Sequence, residues 1–206
     1  MMSPGAATDA TESTTAAAEM ARQFLAHGGW SEADYLVLSD RNWLVELADG
    51  RVEVLPMPTF LHQLILVFLF DALRAHLAPG RLGTAMIAPL RMRLGPGLFR
   101  EPDLLVLLSH HADRMQDRYW IGADLVVEIL SPDNRTHDLV TKRRDYATAG
   151  IPEYWIVDPQ AATITVLGLE GDVYDELGTY GRGDRAMSRL LDGFGVDVSA
   201  VFDVRP

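Results

Sequence analysis

The chain has 206 residues, 48% of them apolar, with 29 acids against 18 Lys and Arg and a formal net charge of −11. That length suits one ordinary domain with a real core, and the acidity argues against tight non-specific binding of nucleic acid while leaving room for a local basic site. Cysteine is absent, which excludes disulfides, thiolate metal ligands and a thiol nucleophile; a reducing, cytoplasmic setting is compatible with that and is the expected location.

Residues 1–29 are rich in Ala, Thr, Ser and Glu and are expected to form a disordered or loosely structured tail, without the pattern of a secretory signal. A short helix is predicted over 30–38, capped by Ser31 with acids in its first turn. Two short alternating runs at 43–47 and 51–55 flank Asp49-Gly50, a strong hairpin signal. The clearest helix follows Thr59 and stops at Pro79-Gly80. Its first half is apolar nearly all round, so it is expected to be buried between layers. The longest apolar run there, 64–70, is far short of the ~20 residues of a membrane span, and no membrane association is expected.

Strands are predicted at 83–88 and 90–94, with Arg91 and Arg93 on one face of the second. Residues 104–108 and 124–130 are apolar on both faces and read as central strands. Ser131-Pro132 ends the second, and Asp133 or Asn134 is expected to cap a helix that stops at Gly150. Further strands are predicted at 153–157 and 163–169, then short strands punctuated by glycines and one helical turn near 197–202. The order implies one domain over 30–206, α/β or α+β, with a mixed β-sheet flanked by helices.

Asp103 opens the first central strand, and Glu128 lies inside the second. A buried carboxylate without a partner costs several kcal/mol, so a metal ion or a cationic side chain must compensate Glu128, and Lys142 on the following helix is a candidate. Two acids and one lysine are the minimum set for hydrolysing a phosphodiester. A hard divalent ion held by carboxylates activates water, and an amine stabilises the developing charge. A purely structural reading is also open, in which Asp103 caps a strand and Glu128 pairs with an arginine.

The motifs extend this. EPD at 101–103 and VVEIL at 126–130 resemble the PD-(D/E)XK nuclease superfamily. Together with ELADGRVEVLPMPTFLHQ, EILSPDNRTHD and KRRDYATAGIPEYWIVDP, they resemble the Uma-type family of that superfamily over nearly everything but the tail. The resemblance implies a restriction-endonuclease-like core and an endonuclease acting on DNA. It implies Mg²⁺ or Mn²⁺ bound by Asp103, Glu128 and the carbonyl of Ile129, with Lys142 as the catalytic amine. The lysine of the superfamily motif, two residues after the acid, is replaced here by Leu130. In the Uma-type pattern it moves to the helix, where Lys142 shares a face with Tyr146. Glu46, beside the Asp-Gly turn, falls at an acidic position of the family that reaches the metal site through a water; Glu53 reads as solvated.

His62 faces either the cleft or the core. His110 and His111 are adjacent and, in regular structure, cannot face one site together, so they read as loop residues. Arg91, Arg93, Arg143 and Arg144, with Arg100 and Arg135, are candidates for phosphate contacts, against the plainer reading of a solvated surface. A homodimer would supply a second half-site. Two other readings stay open: a catalytically weak nucleic-acid-binding or regulatory module on the same fold, motivated by the acidity and Leu130, and a metal-assisted hydrolase of a small phosphorylated substrate.

Overall fold

A computed structural model describes residues 27–41, 43–132 and 135–205. The expected tail (apart from its last few residues) and the caps proposed at Asp133 and Asn134 lie outside the described residues. The chain divides into two units, Met1–Leu55 with Pro96–Leu98 and Pro56–Gly95 with Phe99–Pro206.

In the first unit, α1 (Glu32–Ser39) begins with a complete capping box: the Ser31 hydroxyl accepts the N–H of Asp34, and the Asp34 carboxylate accepts the N–H of Ser31. Strands β1 (Val45–Ala48) and β2 (Arg51–Val54) pair antiparallel, with Glu46 opposite Glu53. Asp49 and Gly50 have φ of 51° and 71°, the left-handed pair that a two-residue hairpin turn requires. Buried Tyr35 ties helix to hairpin by donating to the carbonyl of Val45.

The second unit is built on a six-stranded mixed sheet. Its strands are β3 (Gly83–Ile87), β6 (Leu104–Leu108), β8 (Leu125–Ile129), β9 (Glu153–Asp158), β10 (Thr163–Glu170) and β11 (Val173–Tyr180), in the spatial order β11-β10-β9-β8-β6-β3. Only β8 and β9 run parallel; the other pairs are antiparallel. The unit also holds β4 (Met92–Gly95) in parallel with β7 (Trp120–Ile121) and the hairpin β12 (Arg185–Met187) with β13 (Gly195–Asp197); β5 (Leu98–Arg100), whose first residue belongs to the first unit, leads to Asp103.

Strand alternation sorts the sheet's two faces. Leu104, Val106, Leu125, Val127, Trp155 and Val157 join one core with Ile65, Leu66, Leu69, Leu73 and Leu77 of α2 (Phe60–Leu77), and with Val198 and Val201 of α4 (Val198–Phe202). Leu105, Leu107, Val126, Tyr154 and Ile156 join the other, with Tyr146 and Ala147 of α3 (Arg143–Thr148). The register Leu104↔Val127 and Leu105↔Val126 keeps the faces consistent.

The expectation that α2 is buried between layers is corrected. Only one side meets the sheet, and Phe60, Leu61 and Val67 are exposed. Among the described residues it is the one helix long and apolar enough, by length and composition alone, to cross a membrane; here its buried side chains lie in the sheet's core.

Glu153 is a buried acid held without a cation. Its carboxylate accepts from the indole of Trp155, the hydroxyl of Ser188 and the amides of Arg189 and Leu190, all at 2.7–2.8 Å, which staples the segment after β12 to the start of β9. Glu153→Gln keeps the shape but turns an NH₂ toward two of these donors. It should lower unfolding stability by roughly 2–4 kcal/mol in urea titration; a loss under about 0.5 kcal/mol would show that the staple is not holding the segment.

Candidate active site

Glu128 projects from β8 onto the face it shares with Val126, into the layer that contains α3. After Ser131-Pro132 the chain becomes helical again, widens into a π-helical stretch over His137–Lys142 and continues as α3. π-turns inside helices occur often at functional sites. Gly150, at φ 76°, ends α3, with the amide of Ile151 returning to the carbonyl of Tyr146.

This helix delivers two donors to one oxygen. Lys142 Nζ lies 2.9 Å from Glu128 Oε1, and the Tyr146 hydroxyl donates to the same atom at 2.5 Å. Lys142 is also 3.3 Å from Asp138 Oδ1. Lys142, Glu128 and Asp138 are each 3–4% exposed, so the ammonium sits between two carboxylates out of water. Lys142 thus supplies the cation that the burial of Glu128 demands. Tyr154, in edge-to-face contact with Tyr146, donates to the backbone carbonyl of Asp138. Burial, then the negative charge of Glu128, pushes the Tyr154 hydroxyl well above its ordinary pKa, so it stays a donor.

Asp103 stands one residue before β6, a step beyond the Leu104↔Val127 pair and therefore beside Glu128. Its Oδ2 accepts the amide of Ile129 at 2.7 Å, and its Oδ1 lies 3.1 Å from His62 Nε2. The Ile129 N–H points to the β6 edge. In an extended strand the carbonyl of the same residue points to that edge too, so Ile129 turns its oxygen toward Asp103. Among the described residues no further His, Asp or Glu joins Asp103 and Glu128 in a three-residue cluster.

A cleft of about 460 Å³ opens at the carboxyl ends of β8 and β9. Such ends are where ligands bind in α/β sheets. Pro56, Met57, Leu61 and His62, the segment Leu130 to Pro132, and Arg135, Asp158 and Gln160 line it. His62 belongs to both the cleft and the Asp103 contact, whereas Glu128 and Lys142 do not line the cleft. Arg135 donates to Asp158 at 2.6 Å. Burial alone would raise the Asp158 carboxyl, but the Arg135 guanidinium and the amides of Ala161 and Gln160 outweigh it and hold its pKa below the ordinary value.

The remaining candidates stand on other segments. Glu46 is fully buried on β1 of the first unit, opposite Glu53. Arg91 and Arg93 are half-buried on either side of fully buried Met92. Arg143 donates to the carbonyl of Tyr174, and exposed Arg144 to Asp145. Arg100, read as a surface candidate, is 1% exposed and bound to Asp145 Oδ2 from two nitrogens. Sequence reasoning passed over Asp138, although its spacing of four from Lys142 was a signal.

The reading of His110 and His111 is also corrected. Their six-residue 3₁₀ segment is broken at His111, with φ −111° and ψ 20°, and the two rings lie 4.1 Å apart between centroids, tilted by 55°. His111 Nδ1 lies 2.8 Å from Asp124 Oδ1.

Comparisons with known proteins agree with this architecture. The model of the Uma2 family, described as "Putative restriction endonuclease", matches residues 32–199. No curated protein matches the chain. Five chains of solved structures do. One is the crystal structure of "a putative nuclease belonging to DUF820" from Anabaena variabilis ATCC 29413, with 20% identity, a TM-score of 0.64, and 77% of this chain and 89% of that one covered. At that identity the likeness establishes a shared fold.

Two outcomes test the geometry. Lys142→Met leaves Glu128 and Asp138 buried without the ammonium and should cost about 3–5 kcal/mol in denaturant titration, against about 1.5–3 kcal/mol for Tyr146→Phe. A near-neutral Lys142→Met would contradict the buried pair. For Asp158, a lowered native pKa adds stability that is fully present above the unfolded carboxyl value near 4 and is lost as the pH falls through the native value. The penalty of Arg135→Gln should therefore be measurable at pH 7 and shrink below about pH 4; a pH-independent penalty would assign it to packing.

Proposed function

The chain belongs to the Uma2 family, and on that premise we propose that it is a metal-dependent endonuclease hydrolysing phosphodiester bonds of DNA in the cytoplasm. The observation that carries this is the buried Glu128–Lys142 pair directly beside Asp103 at one end of the central strands. Asp103, Glu128 and the carbonyl of Ile129 would hold Mg²⁺ or Mn²⁺. All three are hard oxygen donors of the kind these ions take. Asp103, Glu128, Asp138 and Lys142 together carry two net negative charges, which one divalent ion neutralises. Bound there, the ion would supply Lewis acidity, activating water and offsetting charge on the scissile phosphate.

The side chains do the rest. Lys142, at hydrogen-bond distance from Glu128, orients the attacking water and stabilises the charge that builds as phosphorus becomes five-coordinate. Tyr146 fixes the rotamer of Glu128, and His62 with the Ile129 amide fixes Asp103; these are positioning residues. Arg91, Arg93, Arg143 and Arg144 contact phosphates, a local attraction against an acidic body. A homodimer would present two such sites to a duplex. One observation favours the rival reading of a weakly catalytic binding module: the charge of Lys142 is already matched by two carboxylates.

Cleavage of plasmid DNA, single-stranded DNA and RNA, with Mg²⁺, Mn²⁺ or EDTA, separates the two. Asp103→Asn and Glu128→Gln should each lower metal-dependent cleavage at least about a hundredfold and weaken Mn²⁺ binding in calorimetry while the protein stays folded. Unchanged Mn²⁺ affinity in both would remove the metal assignment, and a wild type inert on all three substrates would leave the binding module.

A further inference from the structure

We propose that His110, His111 and Asp124 form a second site, for a borderline divalent transition ion such as Zn²⁺, Co²⁺ or Ni²⁺, at the opposite end of the β6–β8 pair. Asp124 stands one residue before β8, and the histidines follow β6, a strand length or roughly 15–20 Å from Asp103. One ligand atom from each of the three residues lies within 4.8 Å of the others. Two imidazoles and a carboxylate suit zinc-like ions, whereas Mg²⁺ prefers oxygen alone.

The site is built rather than incidental. Asp124 is 2% exposed. Its Oδ2 accepts the amide of Leu108 at 2.7 Å, its amide donates to Val106, and its carbonyl accepts from Glu153. The remaining oxygen, Oδ1, is thereby aimed at His111 Nδ1, 2.8 Å away. The 3₁₀ segment breaks at His111, and the His110 ring lies against the His111 ring, tilted, at 4.1 Å between centroids. Zinc bonds of about 2.0–2.1 Å place ligand atoms about 3.3 Å apart in a tetrahedral site. The His111–Asp124 contact would open by roughly half an ångström, and exposed His110 would turn inward. The ion would take the place of the hydrogen bond between His111 and Asp124. With three protein ligands and an exposed edge, the remaining coordination position goes to water. The bound ion would clamp the segment after β6 to the start of β8.

Tag-free protein stripped with EDTA provides the test, with Zn²⁺ followed by calorimetry and Co²⁺ by its visible absorption. The wild type should take up one ion at this site, and Asp103→Asn, which disables the first site, should still take up one. His110→Ala, at an exposed position where the fold is safe, and His111→Ala should each weaken Zn²⁺ binding at least about tenfold, while Asp103→Asn leaves it unchanged. With the first site disabled by Asp103→Asn, Zn²⁺ should raise the melting temperature, and the added His110→Ala substitution should abolish that rise. Equal affinity in the wild type and both histidine variants, loss of the ion in Asp103→Asn, or no uptake at micromolar Zn²⁺ would each overturn the site. Cleavage activity does not enter this readout, so its result is separate from that of the nuclease reading.

Discussion

A carboxylate on the interior face of a central strand sets the terms for everything around it. Glu128 has Val126 on its own face of β8 and Ile156 opposite it on β9, and it is almost fully removed from water. An isolated carboxylate there would neutralise or unfold the strand. The helix after β8 therefore has to bring charge and hydrogen bonds to one point, and Lys142 and Tyr146 both arrive at Oε1. The lysine in turn is buried and needs Asp138. A wider turn over His137–Lys142 accommodates this convergence. Replacing such a network with apolar residues often stabilises a protein, so stability alone does not account for a charged cluster at this point of the core.

The same reasoning separates the arginines. Counting charges between 81 and 100 suggests a basic surface. Counting partners gives another result, because Arg100 lies in the interior on Asp145, on which Arg144 closes from outside. Asp145 thus anchors α3 against the segment that leads to Asp103. Arg100 holds the scaffold of the site and offers nothing to a phosphate.

Much of this was legible in the sequence. Strands β6 and β8 read as central from their apolar runs, and β9 as a further strand. Asp49-Gly50 announces its own turn, and an acid inside VVEIL announces a partner. What was hidden depends on tertiary contact. No local pattern marks a π-turn, since its register answers to Glu128 across space. An all-round apolar helix such as α2 does not say which side will meet a sheet, and the sheet here covers only one. Adjacency ruled out a shared site for His110 and His111 only as long as the backbone stayed regular, and at His111 it does not.

The two ends of the β6–β8 pair are built alike. Each strand is preceded by an aspartate, and each aspartate accepts the last amide of the partner strand: Asp103 that of Ile129, Asp124 that of Leu108, both at 2.7 Å. An antiparallel pair runs out of backbone partners at its ends, and a carboxylate satisfies the orphan donor with one oxygen. The second oxygen is then held in place by no extra effort of the chain, and in both cases it meets a histidine, His62 at one end and His111 at the other. A fixed carboxylate oxygen at a strand end is half of a cation site. What completes it would decide the ion: in the two proposed sites, Glu128 and a carbonyl at one end and a second imidazole at the other. The register that puts Leu105 opposite Val126 thereby sets both ends at once, because a slip by one residue would turn Glu128 to the α2 face and part each aspartate from its amide.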